Sequence, residues 1–152
     1  MAQMMSGRPH YETSLDRVGL AIATGGLIGG VIAMLLTVVT GGASPLGVVT
    51  ALIAGSIMTA LGITALAILP WLVLHLNGRR GPLTAAATGA AIGFILFLGG
   101  QTYGFGLFAM PAMDGRTLLF RWASGVATSI VMAAATAGIA VAMWRIAYRR
   151  VI

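Results

Sequence analysis

Cysteine is absent from this 152-residue chain, and so is lysine. The first absence excludes disulfides, thiolate metal sites and thiol redox chemistry. Acidic residues are nearly absent as well. Glu12, Asp16 and Asp114 are the full set, against nine arginines and a net charge of +6. Charged residues make up 8% of the chain, where soluble domains carry about 25%. With so few ionisable groups, most catalytic chemistry has no residues to run on. There is no pair of carboxylates for acid–base work, no nucleophile beside a histidine and an orienting group, and no glycine-rich phosphate loop between strand and helix. The two histidines, His10 and His75, are too far apart in sequence to make a defensible metal site. The expectation is a protein that is not an enzyme, with no cofactor and no metal.

What is present is apolar. Hydrophobic residues account for 59% of the chain, more than a soluble fold of this size can cover, so lipid is the expected solvent. Four stretches without a charge in their middles run over roughly 18–40, 46–76, 83–108 and 122–146. Each is long enough to cross about 30 Å of hydrocarbon at about 1.5 Å per residue. The predicted fold class is an all-α integral membrane protein, four transmembrane helices as two hairpins. Residues 1–17 form a polar cytoplasmic leader and 18–152 the four-helix domain. The first apolar run exceeds the roughly 7–15 residues of a signal h-region, and its leader carries Glu12 and Asp16. It reads as a retained span, although Gly41-Gly42-Ala43-Ser44 mimics a cleavage site.

Arginine placement predicts the orientation. Arg8, Arg17, Arg79, Arg80, Arg145, Arg149 and Arg150 fall on one side, and only Arg116 and Arg121 on the other. By the positive-inside rule both termini are cytoplasmic. Trp71, Trp144 and Tyr148 fit that interface, and Tyr103 and Trp122 the opposite one. The arginine-only basic set hints at a GC-rich bacterial genome, hence a bacterial inner membrane. A basic chain can also mean nucleic acid, but arginines confined to span ends are explained by lipid, and no nucleic-acid partner is expected.

The breakers are clear: Gly41 to Pro45, Asn77 to Pro82, and a longer third connection through Gly104, Gly106, Pro111 and Asp114-Gly115. Leu118, Leu119, Phe120 and Trp122 are expected at the membrane surface before the last helix. Pro70 is expected to kink the second span and free a carbonyl one turn earlier. The halves resemble each other. Ala23-Thr24-Gly25-Gly26-Leu27-Ile28-Gly29 matches Ala87-Thr88-Gly89-Ala90-Ala91-Ile92-Gly93 at five of seven positions. Ser56-Ile57, Ala60, Ala67 and Trp71 align with Ser129-Ile130, Ala133, Ala140 and Trp144, and each half ends in an arginine pair. This predicts a parallel internal duplication with a pseudo-two-fold along the membrane normal. Chance similarity between alanine- and glycine-rich helices is the competing account.

The strongest physical signal is the small-residue ladder. Gly25/Gly29, Gly26/Gly30 and Gly89/Gly93 are three pairs at four-residue spacing, each on one helix face where a neighbouring backbone can approach. They are candidate helix-packing residues, either between the first and third helices or toward another subunit. His75, Arg79, Arg80, Arg149 and Arg150 are candidate contacts for anionic lipid or another anion. The bland alternative for His75 is contact with the last helix carbonyls and the dipole. Gln101-Thr102-Tyr103-Gly104-Phe105-Gly106 is superficially like the potassium-channel filter pattern, but no pore helix precedes it. An interfacial aromatic cluster with a loosened helix end is the better reading. Hydroxyls such as Thr24, Thr37, Ser56, Thr59, Thr64, Thr88, Ser129 and Thr136 could line a polar path, but more often bond back to the preceding turn. The expected function is a non-enzymatic accessory or scaffold subunit, packing against other membrane proteins through Gly/Ala faces. The rival is a small oligomeric transporter or pore without an intramembrane ionisable group. Expected partners are the lipid bilayer and either other membrane subunits or further copies of the chain.

Overall fold

The computed structural model describes residues 10–41, 44–104 and 114–151. Helices dominate: α1 (Leu15–Val39), α2 (Pro45–Gly62), α3 (Ile68–Leu76), α4 (Pro82–Gly99) and α5 (Gly115–Ala147). A π-helical turn, Ile63–Ala67, joins α2 to α3, and another, Gly100–Gly104, ends α4. Four helices are long and apolar enough to cross a membrane: Leu15–Val39, Pro45–Leu76, Pro82–Tyr103 and Gly115–Ala147. The only other regular element described is a short antiparallel ribbon of β1 (His10–Glu12) and β2 (Arg149–Val151), with Tyr11 opposite Arg150. The two terminal segments therefore meet at one end of the bundle.

Local chemistry fixes the helix ends. Ser44 accepts a hydrogen bond from Gly47 N–H at 3.0 Å, and Pro45 occupies the first turn of α2, where a missing N–H costs nothing. Pro70 lies in the first turn of α3, directly after the π-helical turn. The wider turn gives the proline ring room against the preceding carbonyl, so the break in the hydrogen-bond ladder spreads over 63–67. At the far end of α3, Gly78 takes φ +71°. Gly78 N–H reaches His75 O at 3.1 Å and Arg79 N–H reaches Leu74 O at 2.9 Å, a Schellman turn that holds the last carbonyls and sets the direction of the Arg79-Arg80 loop.

One boundary differs from the expectation. The last helix begins at Gly115, so Leu118, Leu119, Phe120 and Trp122 are its opening turns, not a separate surface segment. Asp114, extended at the N-cap, starts that helix, its negative charge suited to the positive end of the dipole. The third span is helical through Gly104, and Phe105–Phe108 fall outside the described residues.

Packing is built on glycine. α1 lies along α2, α4 along α5, and α1 also packs on α5, whereas α3 and α4 touch only sparsely. A Cβ on Gly26 would sit 2.9 Å from Ser56 O, and one on Gly30 would overlap the Ser56 side chain. Gly29 similarly leaves no room beside Thr59, nor Gly93 beside Thr136. A Cβ on Gly89 would meet Ala140 Cβ at 2.6 Å and Thr136 O at 2.7 Å. Gly25 faces both Ile63 (2.8 Å) and Met143 (2.7 Å), at the meeting of α1 with α5. The ladder thus serves contacts inside the chain, but not between the first and third helices. Gly26, Gly29 and Gly30 meet α2 and Gly89 and Gly93 meet α5, the helix that follows in each case, while Gly25 also touches Met143 of α5. In the aligned halves, Gly25 faces Ile63 and Gly89 faces Thr136, which are matched positions. Gly29 and Gly93 meet positions one turn apart, and the π-helical turn of the second span has no counterpart in α5.

Candidate functional site

The end of the bundle where the terminal ribbon lies also holds the end of α3, the Arg79-Arg80 loop and the end of α5. Here the Tyr148 hydroxyl lies 2.8 Å from His75 Nδ1, donating its proton when that nitrogen is unprotonated. The rings stack with centroids 5.9 Å apart; Trp71 lies 5.3 Å from His75, and Trp144 6.2 Å from Tyr148. Trp144 Nε1 donates to Arg80 O at 2.9 Å, and Arg80 Nε donates to His75 O at 3.4 Å. One network therefore ties α3, the loop and α5 together. Burial pushes the Tyr148 phenol above its ordinary value, with a hydrogen bond from Trp71 and the Arg80 charge acting the other way. At neutral pH it remains a neutral hydroxyl.

His75 does not cap its own helix through its ring. The Schellman turn has already satisfied those carbonyls, leaving the imidazole to pair with Tyr148. Tyr148 is not among the candidate site residues of the sequence. The 73-residue offset that pairs Trp71 with Trp144 also pairs His75 with Tyr148, one turn further on. Arg79 is exposed and Arg80 half-buried beside this cluster. Arg149 and Arg150 are brought to the same end by the ribbon. Removing the hydroxyl by Tyr148→Phe is expected to cost roughly 0.5–1.5 kcal/mol, the net worth of one hydrogen bond. A lower melting temperature in detergent, with unchanged helix content, checks it.

Next to the cluster lies a cavity of about 130 Å³ between α1, α3, α4 and α5. Its lining is almost wholly apolar, including Ile68, Trp71, Ala85 and Met143, with Arg79 and Arg80 at the loop end. Buried Ala21 and Ala147 form its inner wall, while Trp71, Ala85, Thr88 and Met143 are half-buried, so one side is open. No acidic side chain lines it.

Most hydroxyls of the spans turn inward on their own helices, whereas Ser56 Oγ is buried without a hydrogen-bond partner. Thr24, Thr37, Thr64, Thr88, Ser129 and Thr136 each donate to a carbonyl four residues back, at 2.7–2.9 Å. Thr102 does the same to Leu98 O and Gly99 O within the π-helical end of the third span. Such bonds satisfy the hydroxyl locally and leave it a poor lining for a polar path. Among the described residues no group of three or more His, Cys, Asp or Glu is placed to hold a metal ion. Comparison with protein-family models, curated proteins and solved structures finds no match to this chain.

Proposed function

We propose that this chain is a four-span, two-hairpin protein of a bacterial inner membrane, with both termini cytoplasmic, acting as a non-enzymatic accessory subunit for other membrane proteins. The observation that carries the reading is the distribution of apolar surface. Only Ala21, Ala147 and Tyr148 are buried hydrophobics among the described residues, while large aliphatic side chains stand exposed on all four long helices. In water that surface would aggregate; beside lipid or a partner helix it is the natural exterior. The seven-to-two arginine asymmetry supports the orientation.

The glycine pairs of α1 and α4 are occupied within the chain, which moves the proposed partner surface to α5. There Ala123, Ala127, Ala134 and Gly138 are exposed on one side of the helix, and a Cβ on Gly138 would meet nothing within 4 Å. A second helix can approach closely along such a face. The reading is tested by gentle extraction from native membranes. Gly138→Leu is expected to leave the melting temperature unchanged and to abolish co-purification of stoichiometric membrane partners. A chain that purifies alone, or one whose partners survive Gly138→Leu, counts against this surface.

A further inference from the structure

We propose that the cavity between α3 and α4 takes part of one acyl chain of an anionic lipid, whose phosphate is held at Arg79 and Arg80. The size and lining argue for the tail. At about 130 Å³ it resembles apolar cavities of about 150 Å³, which stay dry and accept small apolar molecules. A hydrated or charged ligand would find little to bond with inside. The opening argues for lipid as the source. α3 and α4 both line the cavity yet scarcely touch each other, so the gap between them faces the side of the bundle. The rim argues for the headgroup. The charged residues on the lining are the two arginines and none is acidic, and a planar guanidinium matches phosphate oxygens in pairs.

The surroundings hold that rim in place. The Schellman turn at Gly78 directs the loop, and Trp144 binds the Arg80 carbonyl at 2.9 Å. Trp71, Trp144 and Tyr148 cluster at the same level, where amphipathic rings sit among lipid headgroups. This inference rests on the membrane reading for the source of its ligand, but binding is measurable without a bilayer.

The experiment is native mass spectrometry of the full chain in detergent, titrated with phosphatidylglycerol or phosphatidylcholine of identical acyl chains. Phosphatidylglycerol is expected to be retained at roughly fivefold lower concentration per engaged arginine. Arg79→Gln, a change at an exposed side chain, is expected to remove about fivefold of that preference. Short-chain phosphatidylglycerol is expected to bind more weakly than the long-chain form, and excess inorganic phosphate to leave the long-chain lipid bound. Equal retention of the two headgroups would overturn the proposal, as would selectivity unchanged by Arg79→Gln. Displacement by inorganic phosphate, or equal binding of short and long chains, would also overturn it by reducing the site to a free-anion contact. Cysteine labelling in intact membranes reports on the membrane reading separately, so either can fail alone.

Discussion

Gly93→Leu is expected to destabilise this bundle far more than an exchange of one apolar side chain for another on its outer surface. Gly93 is buried, and any Cβ there would occupy the space of the Thr136 side chain. Thr136 cannot simply rotate away without giving up its bond to Met132 O at 2.9 Å. The alternative is separation of α4 from α5, which forfeits dispersion contacts along the whole pair. Overpacking of this kind costs roughly 1–3 kcal/mol, and about 2–4 °C of melting temperature per kcal/mol is typical at this chain length. Gly29→Leu, facing Thr59, is expected to behave likewise. Gly138→Leu supplies the control, since nothing lies within 4 Å of its added Cβ. Thermal melts in one detergent distinguish the cases. Equal melting temperatures for Gly93→Leu and the unaltered chain would remove the packing account.

Leu27→Arg is the second large effect, and it separates lipid from water as the surrounding medium. Leu27 is 57% exposed and sits midway along α1, away from the contacts of Gly25, Gly26, Gly29 and Gly30. On a water-facing helix an arginine there would be harmless or would improve solubility. At the centre of a membrane span it costs about 2.5–3.5 kcal/mol on insertion scales. The expected result is a fall in the membrane-inserted fraction, read by carbonate extraction of membranes. A soluble, folded Leu27→Arg protein would contradict the lipid-facing assignment.

How far the sequence foretold the structure depends on the constraint each feature obeys. A membrane span must be long and uncharged, so four apolar runs were legible, and their proline and glycine breakers placed the first two connections. The start of the last helix was not. Leu118, Leu119, Phe120 and Trp122 read as interface, whereas a 33-residue helix begins at Gly115, about 50 Å long at 1.5 Å per residue and longer than the hydrocarbon alone requires. Glycine spacing announces close approach without naming the partner. That is why Gly26, Gly29 and Gly30 were readable as packing residues while Ser56 and Thr59 across from them were not. The contact of His75 with Tyr148 was not legible, because the 73-residue offset aligns the two positions without implying that they touch. The cavity was invisible, because it is a gap left where α3 and α4 fail to close.

The absence of cysteine makes the decisive measurement clean. Single cysteines at Thr40, Asn77, Asp114 and Arg145, all exposed in the structure, would each be the only thiol in the chain. With a membrane-impermeant maleimide applied to intact spheroplasts, the thiols at positions 40 and 114 are expected to react at once. Those at positions 77 and 145 are expected to react only after lysis. Labelling of positions 40 and 77 from the same side would contradict a chain that crosses the membrane four times with both termini in the cytoplasm.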